Sequence, residues 1–252
     1  MNRPVYLLAS SVLAPPRAGA IPDFDPLRHG IARKSLKTMT RAVQLGMASI
    51  HLALSRAEAW AATEPGRRGL YVGASPQSGD AGDLLPAIEA TGLPFDLRRF
   101  AEVGVPLIPP LWLVKGLSNN ILGYAAAQHD FRGDNGNWCD GRLGGSVALT
   151  AAIHAIAEGR VDLAVAGAAD CLVGADELLG QVGSEGAGFV VLSASPAGAH
   201  GLARAGIPVE VEPDPALGEL GASAGPVTLL LAWERAGHAA AGGVELSAMS
   251  DA

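Results

Sequence analysis

The chain has 252 residues, 49% of them apolar, and a formal net charge of −7. That length and apolar share fit one large core or two small ones and exclude disorder as the overall state. Two cysteines exclude a disulfide framework, no C-x-x-C or H-x-x-x-H spacing offers a metal site, and no run reaches the roughly eighteen apolar residues of a membrane span.

In chain order, residues 5–8 read as a first strand rather than a signal sequence, since the apolar run is short. Pro15, Pro16 and Pro22 keep the next segment irregular. Over residues 35–60, Leu36, Met39, Val43, Met47, Ile50 and Leu54 recur at steps of mostly three and four, which predicts a helix closed by Pro65 and Gly66. A buried strand is expected at 70–73, then a turn over 74–80. Residues 84–91 form a helix candidate, with Asp83 as its cap and Pro86 in the first turn. Pro106, Pro109 and Pro110 hold off the next helix until Leu111. It is expected over 111–128, with a break or a protein contact near Asn119, Asn120 and Gly123.

The stretch 134–170 organises the rest. A strand end runs through Trp138 and Cys139 into a glycine turn at Gly141. A helix over 147–157 starts on Gly144, Gly145 and Ser146 and stops at Gly159, and a strand at 161–167 is apolar on both faces except for Asp162. A residue at such a turn points from a strand end towards a helix N-terminus, where reactive groups and anions are favourably placed. Here that residue is Arg142.

A short helix or turn at 177–180 and a buried strand at 186–192 follow. Beyond Ser193 the pattern weakens: residues 196–207 are rich in Ala and Gly, 209–212 alternate like an edge strand, 226–235 begin a helix on proline, and 244–247 make a last strand. Alternating strands and helices predict a layered α/β core, with residues 193–252 an appendage packed on the first 192.

Several segments resemble the N-terminal half of a β-ketoacyl synthase, a condensing enzyme of the thiolase fold. Residues 37–59 are similar to the family's long early helix, 69–74 to its second strand and turn, 103–110 with 119–123 to its proline-containing approach and asparagine-containing helix, and 131–135 to a later turn. The most specific matches are Gly159 through Asp170 and Ser184-Glu185-Gly186-Ala187-Gly188. The resemblance implies a complete N-terminal repeat over 1–192 and a shortened remnant of the second repeat over 193–252.

It also exposes a departure. Active members carry a nucleophilic cysteine at the turn before the central helix, and counting back from Gly159 places Arg142 there, a residue that cannot form the acyl thioester. Cys139 lies three residues earlier, and using it as nucleophile would shift the whole helix. Of the family's two C-terminal histidines, nothing matches the first. The segment Gly218-Glu219-Leu220-Gly221-Ala222-Ser223-Ala224-Gly225 resembles the second motif but places Glu219, or in another register Gly218, where histidine belongs. No confident catalytic residue follows. Arg142 and Glu219 either form a charge-assisted pair filling the former cavity or are two solvated loop residues.

Trp112, Asn119, Trp138 and His154 are the substrate or interface candidates. For Trp112 and Trp138 a core or dimer-interface place competes with lining an acyl channel, and His154 suits packing or an interface. Cys171 is expected to add small apolar volume, and Asp162 and Asp170 to mark strand ends.

Two cysteines without a disulfide framework fit a cytoplasmic setting, and the resemblance implies no metal, no cofactor and a non-condensing subunit. Such a subunit pairs with a full-length ketosynthase or with itself as a dimer, in fatty-acid-like, polyketide or aryl-polyene biosynthesis. An enzyme with altered chemistry at Arg142 and Glu219 is the alternative. A third reading takes an acyl carrier protein as partner. Residues 1–68 hold ten Lys/Arg against four Asp/Glu, which would attract an acidic protein; without aromatic interleaving this basic third does not suit nucleic acid.

Overall fold

A computed structural model describes residues 3–75, 81–212 and 214–249, so positions 76–80 of the predicted turn lie outside the described residues. One eight-stranded sheet runs through the molecule: β1 (Tyr6–Leu13), β2 (Arg68–Gly73), β3 (Asn135–Trp138), β4 (Leu163–Cys171), β5 (Glu185–Ser193), β6 (Gly201–Ala205), β7 (His238–Ala241) and β8 (Val244–Ala248). Their spatial order is β3-β2-β4-β5-β1-β6-β8-β7. β2 runs parallel to β3 and β4, and the other pairs are antiparallel. The main helices are α1 (Arg41–Ser55), α2 (Leu85–Thr91), α3 (Asn120–His129), α4 (Leu143–Ala157) and α5 (Ala224–Ala236).

The sheet is covered on both faces, which explains why its middle strands lack a polar side. Leu163 and Val165 of β4, with Phe189 and Val191 of β5, pack with Leu45, Met47, Ile50 and Ile121 from α1 and α3. The alternate residues Ala164, Ala166, Val190 and Leu192 meet Leu149, Ile153 and Ile156 of α4 and Leu229 and Leu230 of α5. Burying each such Leu, Ile or Phe contributes about 1.5–3 kcal/mol.

The small residues that open α4 are required by contact. A Cβ on Gly73, at the end of β2, would lie 2.4 Å from the Gly145 nitrogen, and one on Gly145 would lie 2.3 Å from the Ala222 carbonyl oxygen. The first turn of α4 is thereby wedged between β2 and the segment that leads into α5, and Arg142 is brought to face residues 219–222.

Several predicted elements change form. The helix expected over 35–60 is a 3-10 turn (Arg33–Thr38), then α1, then a single turn at Ala59–Ala62. Met39 and Thr40 are extended, and Thr40 caps α1 by accepting a hydrogen bond from the Val43 amide at 3.4 Å. Asp83 does not cap α2, because its carboxylate binds the Lys115 ammonium at 3.1 Å. The helix over 111–128 divides at the break expected near Asn119 and Asn120, into Trp112–Lys115 and α3, since the Asn120 side chain donates to the carbonyls of Val114 (2.6 Å) and Lys115 (3.1 Å) and ends the first piece.

The expected edge strand at 209–212 is not formed. Its place in the sheet goes to β6, from the Ala- and Gly-rich stretch, and to the β7–β8 hairpin turning at Gly242 and Gly243. Glu210 and Glu212 point to solvent instead, and Glu212 turns towards Arg142. The strands after Ser193 continue the first sheet, and α5 lies beside α4.

Candidate functional site

β3 ends at Trp138, whose carbonyl accepts the Ala74 amide at 2.9 Å. Cys139 and Asp140 are exposed, the backbone turns at Gly141, and the amides of Leu143 and Gly144 bond back to the carbonyls of Asp140 (3.0 Å) and Gly141 (3.2 Å). Arg142 occupies the N-cap position of α4 without a side-chain cap.

The Arg142 guanidinium points at Glu219. Its Nε and Nη2 donate to Glu219 Oε2 at 2.9 and 2.6 Å, and Nη1 approaches Glu212 Oε2 at 3.5 Å. Gln181 Nε2 donates to the same Glu219 oxygen at 2.7 Å, while Oε1 accepts the Gly221 amide at 2.9 Å. Glu219 is 3% exposed, and its backbone bonds to Val182 and Ser184, which fixes residue 219 against the start of β5. The hydrogen bond to Glu219, with the charges of Glu219, Glu212 and Glu210, raises the Arg142 pKa against the opposing effect of burial.

A second carboxylate lies behind this one. Asp170, near the end of β4, accepts hydrogen bonds from the Ser75 hydroxyl, the Ala222 amide (2.9 Å) and the Cys171 amide (2.9 Å). Burial pushes its pKa up against those three donors, and the neighbouring Glu219 charge adds to the rise. Gly221 has φ +53°, and a Cβ there would sit 2.2 Å from Asp170 Oδ2, so only glycine serves where the two carboxylates share the loop.

A third buried carboxylate, Glu185 at the start of β5, pairs with Arg41 of α1. Arg41 Nε donates to Oε2 at 2.9 Å and Nη2 to Oε1 at 2.6 Å, and the Ile21 amide donates to Oε1 at 2.7 Å. Burial raises the Glu185 pKa, but Arg41 and the Ile21 amide outweigh it and leave the carboxyl below its ordinary value. The Cys171 thiol lies 3.5 Å from Glu185 Oε2, and burial pushes it up to about 11, which keeps it protonated and inert.

Of the sequence candidates, Arg142 and Glu219 meet as an ion pair; they are not solvated loop residues. Cys139 is exposed on the turn, with the Asn137 amide 3.3 Å from its sulfur. Trp138 folds back over Gly136 and stacks on Tyr71 with centroids 6.2 Å apart, among the partly buried side chains against the α4-side core. His154 is exposed in the last turn of α4, twelve residues and hence about 18 Å along the helix from Arg142. Trp112 is half-buried in Trp112–Lys115, and Asn119 is exposed at the start of α3. Among the described residues no hydrogen bond or ion pair joins either side chain to Arg142 or Glu219.

Sequence reasoning missed Gln181, Glu212, Ser75 and the Arg41–Glu185 pair. The signals for Glu185 were a charged residue opening an otherwise apolar strand and its place in the match over 184–188, and neither named Arg41 as its partner. Chemically the turn is closed: Arg142 has its hydrogen-bonding groups directed at glutamates, and both oxygens of Glu219 are engaged. Among the described residues no group of three or more His, Cys, Asp or Glu is placed to hold a metal ion, and no helix is long and apolar enough to cross a membrane.

No curated protein matches the chain. Among solved structures, a chain of the AntDE:AntF assembly, a type II PKS acyl-carrier protein in complex with its ketosynthase bound to the hexaketide, superposes with TM-score 0.63 at 18% identity, covering 76% of this chain and 62% of that one. The ishigamide ketosynthase/chain length factor gives 0.62 at 18% identity over 77% and 59%, and a beta-ketoacyl synthase from Burkholderia phymatum STM815 gives 0.62 at 17% over 81% and 64%. The chain thus spans about three fifths of the length of these structures and shares their thiolase-like fold. The family model described as beta-ketoacyl synthase, N-terminal domain, matches residues 13–181. That match takes in the Arg142 turn and well over half of the sequence, and the chain belongs to the beta-ketoacyl synthase N-terminal domain family.

Proposed function

We propose that the chain is a non-condensing ketosynthase-like subunit, a structural or chain-length-modulating partner of an active ketosynthase in fatty-acid-like, polyketide or aryl-polyene biosynthesis in the cytoplasm. The observation that carries this reading is the Arg142–Glu219 pair at 2.6 Å in the turn where active members hold their nucleophile. An arginine there offers no thiolate, and its buried partner holds it in place. The same pair counts against altered chemistry using these residues as anion site and base, because each already has its partners. β3 lies at the edge of the sheet, so its outer backbone groups are free to extend pairing into a second subunit of the same fold.

Co-expression with candidate full-length ketosynthases, followed by sizing and an acyl-transfer assay, tests the proposal. The expected result is a stable complex in which acyl transfer resides in the partner. Self-acylation of this chain at Cys139 would overturn it.

A carrier-protein-binding role is the second reading, favoured by one observation. Arg33, Lys34 and Lys37 are exposed on the 3-10 turn, where side chains three apart eclipse, so Lys34 and Lys37 share a face. Binding of an acyl carrier protein that weakens steeply as salt is raised would support it.

A further inference from the structure

A cleft of about 980 Å³ opens at the end of the sheet opposite to the Arg142 turn. Glu219 is fixed against Ser184, at the start of β5, whereas the cleft is lined by Ser193, at the end of that strand and about 27 Å further on. One wall is the C-terminal end of α1 with the turn Ala59–Ala62, and the other is the chain between β5 and β6. The volume falls within the roughly 300–1,000 Å³ of small-molecule sites. Its floor follows from a fault in the strand register. β1 pairs with β5 at Leu7 and again at Ala9, so Leu8 is an extra residue without a partner, and it lines the cleft. Along β5 the period of two that buries Phe189 and Val191 against α1 brings Ser193 to the same face.

The lining selects a ligand. Leu8 and five alanines supply its apolar part, and no aromatic ring lines the cleft among the described residues, which suits an aliphatic body and leaves a nucleobase nothing to stack on. Most of the polar groups are donors. Arg56 Nη1 donates to the Ser10 carbonyl at 2.8 Å, which holds the guanidinium in place, while Nε and Nη2 have no partner among the described residues. The hydroxyl oxygens of Ser193, which is 4% exposed, and of Ser195 accept the Ser195 amide (2.9 Å) and the Ala197 amide (3.3 Å), so each keeps an O–H to give. His200 adds an imidazole from the wall that faces Arg56. Of the two carboxylates in the lining, Asp162 has both oxygens taken by Arg3 and Arg67, and only Glu58 is without an ion pair among the described residues.

We infer that this cleft binds an aliphatic carboxylate, its chain on Leu8 and the alanines and its head group on Arg56 and the Ser193 and Ser195 hydroxyls. The site is separate from the Arg142 turn and does not depend on the subunit reading. The probe is sodium octanoate, kept below the concentration at which it forms micelles and followed by calorimetry and hydrogen exchange on the whole chain. The expected result is saturable binding at one site, with slower exchange at amides within 56–63 and 194–200. Arg56→Gln, which removes the charge, and Ala197→Trp, which fills the cleft, should each weaken binding at least tenfold. Both positions are exposed, and circular dichroism checks that each variant keeps its fold. Octylammonium, with the same chain and the opposite charge, should bind at least tenfold more weakly than octanoate. Should Arg56→Gln lose its fold along with the Ser10 bond, Ala197→Trp and octylammonium decide the matter. Octanoate bound with unchanged affinity by either folded variant, octylammonium bound as tightly, protection confined to other segments such as the exposed apolar residues between Leu85 and Leu117, or no binding at all overturns the inference.

Discussion

Two arginine–glutamate pairs anchor opposite sides of β5, and they are built differently. At Arg41–Glu185, Nε and Nη2 each meet their own carboxylate oxygen, a fork on a fork, and Arg41 also covers the Phe24 ring at 4.6 Å. At Arg142–Glu219 both nitrogens converge on one oxygen, which takes Gln181 as well, and the remaining nitrogen reaches the exposed Glu212. Both carboxylates have further donors, the Ile21 amide and the Cys171 thiol at Glu185 and Gln181 and the Gly221 amide at Glu219, but Arg41 clamps both oxygens of its partner whereas Arg142 holds one. The two pairs thus differ in how far each carboxylate leans on its arginine.

Breaking the clamp has the largest expected effect. Arg41→Ala strands a buried carboxylate and should cost about 4 kcal/mol of stability, read as a lower urea midpoint at unchanged slope. Arg142→Ala should cost about half as much, about 2 kcal/mol, because Arg142 holds only one oxygen of Glu219, which Gln181 still serves, whereas Arg41 holds both oxygens of Glu185. The double replacement Arg142→Met/Glu219→Leu should recover most of that loss, since no charge remains buried. Equal losses for the two alanine variants would erase the distinction between the pairs.

Acid unfolding sharpens it further. Glu185 is held below its ordinary pKa, so its contribution is present above the unfolded value and fades as pH falls through the lower folded one. Without Arg41 burial dominates and raises the carboxyl above its unfolded value, so Arg41→Ala should begin to lose stability at higher pH than wild type. A pH titration of the urea midpoint checks the direction. The smallest effect concerns the cysteine beside each pair. Exposed Cys139 should alkylate with iodoacetamide at neutral pH, whereas Cys171, pushed up to about 11, should stay unmodified until the chain unfolds.

Much of this was legible in the sequence wherever a local pattern carried it. The apolar run at 161–167 could only be a strand covered on both faces, and the small residues at 144–146 marked a helix start under close contact. The Arg142–Glu219 pair was foreseeable because two motifs that face each other had changed together. What escaped was set by distant partners. β6 has no apolar rhythm of its own and exists because β1 and β8 pair with it. Glu185 and Arg41 are separated by 144 positions, and Gln181 joins the site because residues 182–184 bond to Glu219. The break near Asn119 and Asn120 was expected, but the acceptors that hold it, five and six residues earlier, were not.

The Glu219 latch also bears on how such a chain can change. A cysteine introduced at 142 by itself leaves a carboxylate buried beside a thiol, and a histidine introduced at 219 by itself leaves a guanidinium facing an imidazole. Each single replacement lowers stability before it provides any chemistry, and only the joint exchange avoids that valley. In sequence space the two positions are therefore coupled, so an engineer seeking acyl transfer at this turn would exchange both ends of the latch together.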